Sequence, residues 1–172
     1  MGSLIKVILG TGLIGIVLFS LYMVNKKNEI DTIPEGEVTE HTLGEFTNLV
    51  PFTMGRISLL GSIADTDTER ALGLSNTKEI PAGVAKVFIF ESSAKWSFWM
   101  KDMNYSIDIF WLDENGRVVH IVESASPDTY PATSFAPPVP ARYVIETKAG
   151  FTKENSIKVG ESAGMTRILK DR

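Results

Sequence analysis

WSFWMKDMNYSIDIFWLDENGRVV, residues 96 to 119, gathers the side chains best equipped for recognition or chemistry. Three tryptophans, two phenylalanines and two methionines crowd into it, yet Lys101 and Asp108 interrupt the apolar run where a plain core strand would carry another aliphatic residue. Side chains alternate across a strand, so in SIDIFWL the residues Ile107, Ile109 and Trp111 share one face, and Asp108, Phe110 and Leu112 share the other. A carboxylate among apolar neighbours must find hydrogen bonds or a cation, or else hold its proton, because desolvating an unpaired charge costs several kcal/mol. Lys101, Arg70 and Arg142 are the candidate cations, the last of them near Glu146. Two readings follow from the residues. In one, Asp108 belongs to a buried pair that fixes the register of the sheet. In the other, Trp99 or Trp111 forms the flat wall of a pocket, and Asp108 and Lys101 are its polar contacts, as in carbohydrate and small-ligand sites. Asp108 and Glu146 are also candidate acid and base for glycoside chemistry, provided their carboxyls stand about 5 to 9.5 Å apart across an open cleft.

The elements that must position these residues begin near Thr53, where the pattern turns to alternation and short apolar runs bounded by turn residues. RISLLGSIA (56 to 64) predicts a strand, with Gly61 as a bulge. DTDTERALGLS predicts a short helix capped by Asp65 or Asp67 and closed by Gly73. VAKVFIFE (84 to 91) is a strand, and SIDIFWLDENGRVVHIVES a hairpin turning at Asn115-Gly116. ARYVIETKAG adds a strand, FTKENS a helical turn and AGMTRIL a last strand. SPDTYPATSFAPPVPA, with five prolines between 127 and 140, must be a semi-rigid loop draped over one end of the sheet. The expected fold class is α+β, a mostly antiparallel curled sheet or small barrel with one or two short helices.

Composition sets the surroundings of that domain. The chain has 172 residues, 44% hydrophobic and 22% charged, with a net charge of −4. That is enough for one globular domain of residues 51 to 172. From residue 49 onward 14 basic residues face 15 acidic ones, so nothing resembles a basic nucleic-acid face. Cysteine is absent and histidine is limited to His41 and His120, which leaves no metal or cofactor site to expect. DTDTE lacks the central glycine and closing acid of a calcium loop, and no serine sits in a nucleophile elbow.

The amino terminus contains a literal GxGxxG at Gly10, Gly12 and Gly15, but Val7 to Val24 is eighteen residues without a charge, and the stretch after the glycines has no polar face. At about 1.5 Å per residue this run matches a bilayer's hydrocarbon thickness of roughly 30 Å. Residues 4 to 24 are therefore expected to form a single transmembrane anchor, with no A-x-A-like cleavage site after Tyr22. Residues 25 to 50, with six acids, Pro34, Gly36 and Gly44, read as an acidic tether. Lysines flank the run on both sides, so charge alone leaves its orientation open.

ERALGLSNTKEIP, VFIF, FWMKDMNYSIDIFWLDENGRVVHI, ARYVIETKAG and IKVG resemble the uncharacterised bacterial and archaeal family called domain of unknown function 192, DUF192, over about residues 56 to 166. The matching positions are Arg70, Gly73, Leu74, Trp99, Met100, Lys101, Asp108, Gly116, Glu146 and Gly150. The chain departs from the family pattern at Ser75, at Ala85-Lys86-Val87, at Asp102 and at Ile107. The resemblance implies a fold class and a surface but no reaction. Members often carry an amino-terminal membrane or export segment, which places the expected domain outside the cytoplasm. The candidate ligand-binding residues are thus Trp99, Lys101, Asp108, Trp111, Arg70 and Glu146. The leading expectation is non-catalytic binding of a small molecule, glycan or envelope component. The alternatives are a hydrolase of an envelope polymer and a scaffold that contacts a partner protein through the aromatic hairpin.

Overall fold

The computed structural model describes residues 46–47, 49–165 and 168. The expected anchor at 4 to 24 and most of the tether lie outside them. Among the described residues no helix is long and apolar enough to cross a membrane.

The elements follow in the order β1 (Leu49–Met54), β2 (Ile57–Ala64), α1 (Asp67–Leu72), β3 (Val84–Ala94), β4 (Ile107–Leu112), β5 (Val118–Ala125), β6 (Ala141–Lys148), α2 (Phe151–Glu154) and β7 (Ala163–Gly164). The strands form one sheet in the order β5-β4-β6-β3-β2-β1-β7. Every neighbouring pair is antiparallel except β2 with β3, whose crossover carries α1. The sheet curls until its two edges approach at one end. There the Val118 amide donates to the Glu161 carbonyl, the Gly160 amide to Val118, and the Ala163 amide to Gly116. The result is a half-barrel of the kind the strand pattern predicts.

Four local expectations are corrected. Gly61 pairs in unbroken register with Val50 of β1 and Ala85 of β3, so β2 carries no bulge there. The helix cap is Thr66, whose hydroxyl accepts from the Glu69 amide while the Glu69 carboxylate accepts from the Thr66 amide, a reciprocal box that neither Asp65 nor Asp67 supplies. Among the described residues the last strand spans only Ala163–Gly164, where it pairs with Thr53 and Met54 of β1. The folded part reaches back into the range read as tether: β1 starts at Leu49, and Phe46 is 4% exposed in the core.

Apolar residues fill both faces of the sheet. The inner face draws on all seven strands, with Phe52, Leu59, Val87, Phe110, Val118, Tyr143 and Ala163 among its members. The outer face carries Val84, Phe88, Phe90, Ile107, Ile109, Trp111 and Val144, and is covered by Leu74, Ile80, Met100 and the aromatic segment after β3. With cover on both sides, all six residues of β4 are buried, which is why IDIFWL reads as an almost unbroken apolar run.

Candidate functional site

Asp108 is wholly buried, and its carboxylate accepts three backbone hydrogen bonds, from Ser124 at 2.8 Å, Gly150 at 3.3 Å and Thr152 at 2.8 Å. Each amide is aimed by a local irregularity. The register of β5 against β4 shifts between Ile107 and Ile109, so Glu123 and Ser124 together oppose Asp108, and Ser124 takes a φ of +51° that turns its N–H inward. Gly150, at a φ of +93°, leads into α2, whose first turn offers the Thr152 amide. The compensation expected for Asp108 is therefore backbone amides, with no ion-pair partner among the described residues. Arg70 is engaged with Asp67 and the carbonyls of Asp65 and Ile89, and Lys101 is exposed elsewhere.

Register then separates Asp108 from Glu146. In the antiparallel β4–β6 pair Asp108 stands opposite Thr147, whereas Glu146 stands opposite Ile109 and, on its other side, Lys86 of β3. Cross-strand partners share a face, so Asp108 projects to the inner face and Glu146 to the outer. The two carboxyls do not face each other across a cleft. Trp111 also leaves the candidate surface: it is 0% exposed, its indole donates to the Trp96 carbonyl at 2.9 Å, and its ring meets Phe98 edge-on at 5.9 Å. It buttresses the cover from below. His120 packs beside Trp111, ring centroids 5.3 Å apart, as a half-buried strand residue.

The remaining four candidates, Arg70, Trp99, Lys101 and Glu146, come together around one opening of about 230 Å³ on the outer face. Its walls include Phe88 and Phe90 from β3 and Trp96, Phe98 and Trp99 from the segment that follows. The rings brace one another: Phe90 stacks on Trp96 at 4.0 Å and 10°, and Phe88 meets Phe98 edge-on at 4.8 Å. Main-chain bonds hold the covering segment in place. Phe98 and Phe135 exchange amide bonds at 2.8 and 2.7 Å, tying it to the proline-rich loop, and the Ser75 hydroxyl donates to the Lys101 carbonyl. Trp99 remains 60% exposed at the mouth, and the Arg70 guanidinium sits 5.3 Å above the Phe90 ring.

Glu146 is 5% exposed, lines this opening, and accepts no hydrogen bond from any described residue. Burial pushes its carboxyl up to about 8, against the opposing pull of Lys86, and so keeps it largely protonated at neutral pH. Burial holds Lys86 below the usual lysine range, while Glu69 and Glu146 draw it upward; its ammonium donates to the Ser62 hydroxyl at 3.3 Å. Phe88, Phe90, Trp96 and Phe98 were not among the sequence candidates. Their signal lay in the alternation of VFIF, which sets both phenylalanines on the face of Lys86.

The family model described as Uncharacterized ACR matches residues 54–165, more than half of the chain. The chain belongs to the DUF192 family. Both the aromatic opening and the amide cradle of Asp108 lie within the DUF192 match. The fold resembles that of a crystallised protein of unknown function from Novosphingobium aromaticivorans DSM 12444, with a TM-score of 0.63 and 27% identity over 67% of this chain and 84% of that one. It also resembles a Sinorhizobium meliloti 1021 protein described as a candidate transcription regulator, with a TM-score of 0.61 and 21% identity over 67% of this chain and 90% of the other. At that identity the second likeness speaks for the DUF192 fold alone. Among curated proteins nothing matches the chain.

Proposed function

We propose that this protein is a membrane-tethered binding protein whose DUF192 domain, outside the cytoplasm, takes a small molecule or a single unit of an envelope glycan without transforming it. The observation that carries this reading is Glu146: a buried carboxyl with no hydrogen-bond partner among the described residues, set in an opening walled by five aromatic rings. Convergence of an apolar surface on one polar group is the usual build of a small-ligand site. The opening, about 230 Å³, falls below the roughly 300 to 1,000 Å³ of drug-sized sites, so the occupant is about one ring in size. The charge-free run from Val7 to Val24 supports the tether. Binding without hydrolysis is favoured because Asp108, the second carboxylate of the proposed acid–base pair, projects from the opposite face and is consumed by backbone amides.

The test is a thermal-shift screen of monosaccharides and single-ring metabolites against the full-length chain, with Trp99→Ala and Asp108→Asn alongside. Trp99 is exposed, so its loss should leave Tm within a few degrees of the parent while abolishing the ligand-induced rise. Asp108→Asn should lower Tm but keep that rise. A rise of equal size in all three proteins, or none in the parent, refutes the assignment of the site. A second reading, a protein partner seated on the mouth, rests on Leu72 and Trp99, which are 59% and 60% exposed there. It predicts that no small molecule raises the Tm of the parent, and that Leu72→Asp and Trp99→Ala each abolish capture of a protein partner by the full-length chain.

A further inference from the structure

Building on the proposed pocket, we infer that its ligand is a non-cationic, ring-sized molecule presenting an oxygen acceptor, which receives a hydrogen bond from the Glu146 carboxyl. Glu146 lines the opening together with Phe88, Phe90 and Phe98, and no hydrogen bond from a described residue engages its carboxyl, which is left for solvent or a ligand. A protonated carboxyl can donate, and its burial keeps the proton on at neutral pH.

The charged groups around it point the same way. Lys86 on β3 faces Glu146 across the strands, Arg70 on α1 and Lys101 on the covering segment line the opening, and Glu69 on α1 acts on Lys86 and not on Glu146 itself. On this face the flanking β4 offers Ile109 and no titratable side chain, its Asp108 projecting to the opposite one. Among the residues lining the opening, Glu146 is therefore the lone carboxyl, set against Lys101 and against Arg70, which is itself paired with Asp67 outside the opening. A cationic ligand would meet like charge at the mouth and would have to ionise a buried acid. An oxygen acceptor meets neither obstacle. Asp65, Asp67 and Glu91, the acids that could attract a cation, line a neighbouring polar cleft that shares only Arg70, Phe90 and Trp96 with the aromatic opening.

Acetophenone and benzylamine are matched single-ring probes, the first a pure acceptor with no titrating group and the second a cation at pH 6. Binding to the full-length chain is followed by the non-exchanging ring C–H resonances of Trp96 and Trp99 in an NMR titration at pH 6 and pH 9. Acetophenone should bind the parent about tenfold more tightly at pH 6 than at pH 9, the worth of one hydrogen bond lost on deprotonation, and benzylamine at pH 6 should bind more weakly than acetophenone. Glu146→Gln keeps an N–H donor and should retain acetophenone binding while losing its pH dependence. A flat pH response in the parent, an equal fall in Glu146→Gln, or tighter binding of benzylamine at pH 6 overturns the acceptor assignment while leaving the pocket standing. Absence of saturable binding by both probes in the parent overturns the pocket as well. The parent's two-probe, two-pH comparison decides the matter alone should the variant fold poorly.

Discussion

Three amides converging on Asp108 explain why an acid interrupts the most apolar strand of the chain. The carboxylate supplies the acceptors for a bulge in β5, for the Gly150 turn and for the first turn of α2, all of which would otherwise bury unpaired N–H groups. Asparagine has the same shape but only one acceptor oxygen, so at least one of the three amides would face an NH₂ donor. Asp108→Asn is expected to cost about 3 kcal/mol in chemical denaturation, through unsatisfied buried donors. Glu146, on the other face at the lining of the aromatic opening, has the opposite character: an acid whose local structure leaves its hydrogen-bonding capacity unused.

At the level of elements, the pocket depends on α1 and the segment from Trp96 to Met103, neither of which is a long regular structure. Only six residues form α1, too few for a helix to hold itself together, so caps and side-chain ties replace length. The Thr66–Glu69 box closes its start, and Arg70 moors it by donating to the carbonyls of Asp65 and Ile89. Gly73 ends it at a φ of +52°, where an added Cβ would come within 3.3 Å of the Phe88 ring in the pocket wall. Thr66→Ala should cost about 1 kcal/mol, the usual worth of an N-cap. It should also speed hydrogen exchange at the Arg70 and Gly73 amides, which bond to Thr66 and Glu69, while the amides of β4 stay protected.

For the whole molecule, a buried acid makes global stability depend on pH in a defined direction. Glu146 ionises near the ordinary 4.5 in the unfolded chain and near 8 in the fold, so between those values the folded state holds the extra proton. Its contribution is fully present below about pH 4.5 and is lost as pH rises through about 8, a fall on the order of 5 kcal/mol. Denaturation midpoints measured from pH 5 to 9 should decline across this window in the parent. In Glu146→Gln that part of the decline should vanish, so the variant becomes the more stable protein above pH 8. An unchanged slope would show that Glu146 is not the group responsible.

Much of this molecule was legible in the amino-acid order. Strand alternation, the Asn-Gly turn, the helix-start signals and the proline-rich loop determined a curled, mostly antiparallel α+β fold, because those signals act over a few residues. The same alternation showed that Asp108 travels with apolar neighbours and needs compensation. What compensates it was decided only in three dimensions, since the donors lie 16 to 44 residues away and are backbone groups, which every residue type except proline provides. The split of the six candidates likewise came from tertiary structure. Adjacent strands pair in a register that local sequence does not encode, and one step of register decides whether a carboxyl enters the core or the pocket. That step sent Asp108 inward to its amides and Glu146 outward to the aromatic rings.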